Sequence, residues 1–198
     1  MKKSLLAIFL MLFSISLLTT SCKDEEKFEK EQEIKISQHR DSVFAFLKNN
    51  WKFSLPKPSN ELKPLLDDWK AWQEFKQELS LKPVTTIGAF QKKADVLTQK
   101  LSSLSYQKMP EEINLPDVKA RITLLQTSLN NLHLFIIQEP IEIDRLDNDL
   151  KQVNNSIKLL FDQMEENLIK NRVPKEIGEE EMLEAISTER RANPTTTN

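Results

Sequence analysis

Glycine and cysteine are almost missing from this 198-residue chain, which holds two of the first and one of the second. Two glycines cannot supply the positive-φ turns of a strand-rich fold, nor the Gly-rich loops with which nucleotide-binding enzymes cradle phosphate. One cysteine excludes an intramolecular disulfide framework and any multi-thiolate metal site. Histidine, the commonest general acid or base near neutral pH, occurs only at His39 and His133. Neither stands three residues after a Glu, as the ligand pairs of di-iron bundles do. There is no His-Glu-x-x-His zinc motif and no Asp-rich calcium loop with its central Gly. Neither Gly88 nor Gly178 flanks a serine, so no nucleophile elbow is present. An excess of one charge is lacking too: 28 Lys and Arg face 30 Asp and Glu, which gives no electrostatic reason to expect nucleic acid. With 39% hydrophobic, 29% charged and 7% aromatic residues, the composition fits a helical protein of one domain.

What is present begins at the N-terminus. Lys2 and Lys3 precede an apolar run from Leu5 to Leu18 in which only Ser14 and Ser16 are polar, the build of a secretory signal peptide. As a helix that run measures about 21 Å, short of the roughly 30 Å hydrocarbon core of a bilayer. Behind it stands Leu18-Thr19-Thr20-Ser21-Cys22, which holds the only cysteine of the chain.

This segment resembles the lipobox of bacterial lipoproteins, with Thr19 where the family prefers Leu. The resemblance implies that residues 1–21 are removed and that Cys22 becomes the acylated first residue, a lipid anchor of palmitate type. Lys23-Asp24-Glu25-Glu26 resembles the acidic signal that exports lipoproteins of the Bacteroidota to the outer face of the outer membrane. The alternative is a solvated tether on the periplasmic face, because residues 23–33 are nearly all charged. Asp41-Ser42-Val43 resembles the O-glycosylation acceptor of envelope proteins of that group, which would place a glycan on Ser42. The rest of the chain resembles small helical envelope lipoproteins with no assigned activity.

Beyond the charged tether at 22–36, prolines at 56, 58, 64, 83, 110, 116, 140 and 174 divide the chain into helical segments. Ile87, Phe90, Ala94, Leu97, Leu101 and Leu104 fall on one helix stripe, and Val118, Ile122, Leu125, Leu129, Leu132 and Ile136 on another. Ile143, Leu146, Leu150, Val153, Ile157, Leu160 and Met164 make a third, continued by Leu168. Leu62, Leu65, Trp69, Trp72 and Leu79 make a fourth with Phe75 beside it, and an earlier helix runs through Val43, Phe44 and Leu47 to about Trp51. Pro64, Pro116 and Pro140 suit first-turn positions, and Thr85 or Thr86 and Asn114 suit N-caps. The expected fold is an all-α antiparallel bundle of four to five helices of about 20 to 30 residues over 37–172. A coiled-coil oligomer is the rival, disfavoured because each stripe ends at a proline. Residues 173–198 form an acidic, partly disordered tail in this reading.

Candidate sites are few. His133, between Leu132 and Leu134, reads as an edge-of-core histidine held by a local hydrogen bond, and His39 as exposed. Asp67-Asp68, Glu111-Glu112 and Glu165-Glu166 are adjacent pairs that diverge on a helix and read as solvated faces. Lys92, Lys93, Lys100 and Lys108 form a mild basic excess. Trp69, Trp72 and Phe75 fit either the core stripe, the favoured reading, or an exposed platform for a ligand or partner. The expected function is a non-catalytic, lipid-anchored protein-interaction module with no cofactor or metal and an envelope protein as partner. A lipoprotein binding carbohydrate or an apolar ligand through those three aromatics is the alternative.

Overall fold

The computed structural model describes residues 21–170 and Met182. The apolar N-terminal run, Gly178 and the acidic tail apart from Met182 lie outside the described residues. Within them the chain is all-α, a bundle of six helices without a strand. These are α1 (Ser21–Asn50), α2 (Leu62–Asp68), α3 (Lys70–Ser80), α4 (Ile87–Leu104), α5 (Pro116–Ile136) and α6 (Ile143–Lys170), with a 3₁₀ turn at Glu111–Ile113 before α5.

Antiparallel packing of α3 to α6 is written in their side-chain contacts. Glu78 and Glu74 of α3 pair with Lys93 and Lys100 of α4 at 2.6 and 3.0 Å. Gln91 at the start of α4 donates to the carbonyl of Ile136 at the end of α5 (2.9 Å), while Ser102 near the end of α4 meets Gln126 (3.0 Å). Arg121, Ser128 and Phe135 of α5 meet Gln163, Ser156 and Arg145 of α6 in reverse order. The short connections from α3 to α4 and from α5 to α6 favour this arrangement, and the longer one from α4 to α5, which carries the 3₁₀ turn, permits it.

α1 joins this bundle only through its C-terminal turns. Val43 and Leu47 are buried, and Phe44 and Trp51 both meet the ring of Phe90 edge-on, at 6.4 and 5.2 Å. Lys82 donates to the carbonyl of Lys48, and His39 Nε2 lies 2.9 Å from the carbonyl of Ile141. All these contacts lie at the end where α4 and α6 begin. Residues 26–38 stand free of the bundle, with Gln32 alone half-buried. The charged tether is therefore a continuation of α1. From Trp51 the chain follows α6 to the opposite end: Asn154 bonds the backbone of Lys52 and Ser54, and Glu165 accepts from the amide of Ser59 (2.7 Å).

The three long stripes become the core: their residues are buried throughout, apart from the half-buried first positions Ile87 and Ile143. Four local expectations need correction. The fourth stripe is two helices, because Trp69 adopts an extended backbone (φ −83°, ψ 94°) and turns its indole inward. Gln73 then donates to the carbonyl of Leu66 (2.6 Å), one of the carbonyls that this break leaves without a helical partner. Pro140 lies in the loop before α6, not in its first turn, and Asn114 follows the 3₁₀ turn while Leu115 occupies the N-cap of α5. Helices of 7, 11 and 18 residues also make α2 to α4 shorter than expected.

Thr86 is the N-cap of α4, its hydroxyl accepting from the amide of Ala89 at 3.1 Å. Thr86→Ala is expected to lower unfolding free energy by about 1 kcal/mol, and Thr86→Ser to restore most of it. Denaturant midpoints of the three proteins measure this.

Candidate functional site

The residues singled out by sequence do not converge. Trp69, Trp72 and Phe75 are buried at 2%, 1% and 0% exposure, so they offer no stacking face to a ligand or partner. Helical spacing points Trp72 and Phe75 inward and the break in the chain turns Trp69 the same way, so that Trp72 stacks near Trp69 (6.2 Å) and meets Phe75 (5.8 Å) and Phe161 of α6 (5.5 Å). The exposed-platform reading of these aromatics is thereby removed. His39 is half-buried by its contact with Ile141, not simply exposed. His133 is half-buried on α5, without the expected hydrogen bond, and sits near enough to Asp95 of α4 to act on its charge. Cys22 and the Lys23–Glu26 segment lie in the first two turns of α1. Ser42 is exposed on the same helix, its hydroxyl bonded to the carbonyl of Gln38 (2.9 Å).

Surface charges are spent on neighbours. Asp67 pairs with Lys63, Glu166 with Lys170 (2.7 Å), Asp147 with Lys151 (2.6 Å) and Asp162 with Lys158, each four residues apart. The Lys63 hydrogen bond holds the Asp67 carboxyl below its ordinary pKa, and Lys100 and Lys170 do the same for Glu74 and Glu166. The basic excess expected on α4 is largely neutralised: Lys93 is itself buried, its ammonium on Glu78. Among the described residues no group of three His, Cys, Asp or Glu is placed to hold a metal ion, and no helix is long and apolar enough to cross a membrane.

Two features were invisible in the sequence. The first is a polar seam between α5 and α6. Arg121, Ser128 and Phe135 on one helix and Asp149, Ser156 and Gln163 on the other each recur at seven-residue steps, which keeps them on one side of their helix. Ser128 and Ser156 share a buried hydrogen bond of 2.7 Å. Asp149 is buried with one carboxylate oxygen unbonded, and Arg145, whose guanidinium lies 3.6 Å above the Phe135 ring, approaches it only to 3.9 Å. Burial pushes the Asp149 carboxyl above its ordinary pKa, with Arg145 opposing. A carboxyl raised by folding favours the folded state most below its unfolded pKa of roughly 3.9, and that contribution is lost as pH rises through the folded value. Asp149→Asn is therefore expected to melt higher than the parent at pH 7, with the gap closing as pH falls toward 4. Thermal unfolding across that range checks it.

The second feature is a pair of grooves at the end of the bundle opposite α1, on either side of the loop that joins α4 to the 3₁₀ turn. One, of about 670 Å³, has Leu104, Met109 and Ile122 beneath it and Tyr106, Gln107, Lys108, Glu111, Asn114, Lys119 and Thr123 around it. The other, of about 480 Å³, lies between Leu65, Lys70 and Pro110 and includes Trp69. The indole N–H of Trp69 is fully buried without a partner, so it offers no donor to that groove. Tyr106, the only tyrosine of the chain, is 89% exposed. No periodic signal marks it, because it stands in a loop. Comparison of the chain with protein-family models, curated proteins and solved structures finds no match.

Proposed function

We propose that this chain is a lipid-anchored protein of the cell envelope, a non-catalytic interaction module held in the outer membrane by acyl chains on Cys22. Lys23, Asp24, Glu25 and Glu26 direct it to the cell surface in this reading, and its partner is another envelope protein. The observation that carries the proposal is the form of α1. One uninterrupted helix links Cys22 to the bundle. Among its described side chains His39 is the first bonded to the bundle, seventeen positions beyond Cys22, which at 1.5 Å per residue sets the domain about 25 Å from the anchor. Glu26 and Lys30, and Glu31 and Lys35, stand four residues apart in the order that favours an isolated helix. A spacer of this kind suits a domain that must reach past the membrane surface. Binding is favoured over catalysis because the charged side chains described above pair along and between helices, and among the described residues no group of three His, Cys, Asp or Glu is gathered.

Display is tested by treating intact cells with external protease. The parent protein is expected to be degraded, and a variant with Asp24, Glu25 and Glu26 replaced by Ala to survive several-fold longer. Equal accessibility of the two overturns the export role, and complete protection of both places the domain on the periplasmic face. The partner is tested by cross-linking in intact cells followed by affinity capture from solubilised envelopes. The same envelope protein is expected from the parent and not from Cys22→Ala; recovery of no specific protein counts against the proposal.

A further inference from the structure

We infer that the groove beside Tyr106 is a binding site for a neutral oligosaccharide. The inference goes beyond the anchored-module reading and does not depend on it, since the groove lies at the end of the bundle remote from α1. At about 670 Å³ it falls within the range of small-ligand sites. Its floor is apolar, made by the buried side chains of Leu104, Met109 and Ile122. Its rim is polar but nearly balanced in charge, with Lys108 and Lys119 against Glu111. A strongly charged ligand finds no matching field there, and a wholly apolar one would bury polar groups without partners.

A pyranose has the complementary character. One face of the ring presents C–H groups, and hydroxyls that both donate and accept surround it. Tyr106 supplies an exposed aromatic face for the first. The side-chain amides of Gln107 and Asn114, each donor and acceptor at once, supply partners for the second, and neither side chain is hydrogen-bonded to another described residue. Thr123 adds a hydroxyl whose proton goes to the carbonyl of Lys119 (3.0 Å), so its lone pairs remain to accept. The backbone that carries Tyr106 is held in place before any ligand arrives. The amides of Tyr106 and Gln107 both bond the carbonyl of Ser103, at 3.2 and 3.1 Å, and that of Ser105 bonds Ser102 at 3.2 Å. This tight turn at the end of α4 lowers the entropy that binding must remove.

The test uses the purified full protein in a detergent without a sugar head group, titrated calorimetrically with maltohexaose, cellohexaose, mannohexaose and chitohexaose. Saturable binding of at least one is expected, weakened about tenfold or more by Tyr106→Ala and measurably by Asn114→Ala. Tyr106→Ala is expected to leave the unfolding midpoint unchanged, because the ring is exposed, so lost binding cannot be ascribed to lost fold. The inference is overturned if none of the four binds, or if binding survives Tyr106→Ala and Asn114→Ala unchanged. Failure here leaves the protease and cross-linking results untouched, whereas failure of the anchor leaves the titration unaffected.

Discussion

Replacing Trp72 by Ala is expected to destabilise the protein by about 3 to 5 kcal/mol, the usual penalty for deleting a fully buried large aromatic. Trp72 is 1% exposed and joins α3 to α6, with Trp69 and Phe75 on its own segment and Phe161 across the interface. Truncation removes the apolar surface that the side chain buries and leaves a cavity that rings on two helices cannot collapse to fill. Domains of this size are stable by only about 5 to 15 kcal/mol, so the variant loses a large part of its margin. Urea unfolding followed by circular dichroism should show the midpoint falling sharply, with Trp72→Phe intermediate. A change within about 0.5 kcal/mol, as for an ordinary surface position, would contradict the burial on which the removal of the aromatic platform rests.

Replacing Cys22 by Ala is expected to abolish incorporation of labelled palmitate altogether and to release the protein from the membrane fraction. The effect is all-or-none because the chain has no second cysteine to take the acyl group. Two or more acyl chains, at about 0.8 kcal/mol per buried methylene, hold a protein stably where one chain holds it marginally. Persistent labelling of the variant would sink the lipoprotein reading. The fold should not register the change: residues 26–38 already stand free of the bundle, so the unfolding midpoint of the domain is expected to stay where it was. The two substitutions thus separate anchor from fold.

Why so much of the helical core was legible follows from how it is built. Residues such as Phe90, Leu97 and Leu101, or Leu125, Leu129 and Leu132, recur at the period of a helix because one side of that helix faces protein and the other faces water. Pro116 and Thr86 mark helix starts through purely local chemistry, a backbone donor not needed and a hydroxyl supplied. Local signals misled where distant partners overrode them. At Trp69 the stripe continues through a point where the backbone breaks, because the period reports which way side chains face and not whether the helix between them is intact. Lys93 counts toward a basic excess until Glu78, fifteen residues earlier and on another helix, is brought against it. His39 reads as exposed until the loop before α6 folds across to meet it.

By itself the sequence determined the all-α class, the inward stripes of α4, α5 and α6, and most of their ends, since each depends on residues within a turn or two of one another. The candidate sites were decided only by tertiary structure. Burial of Trp69, Trp72 and Phe75, already favoured by their spacing, is completed by α6 packing over them, while the Ser128–Ser156 seam depends on the register of two antiparallel helices and the groove beside Tyr106 on a loop lying against the first turns of α5. The seam and the groove bring together residues far apart in the chain or in irregular loops, and no local spacing announces which residues meet.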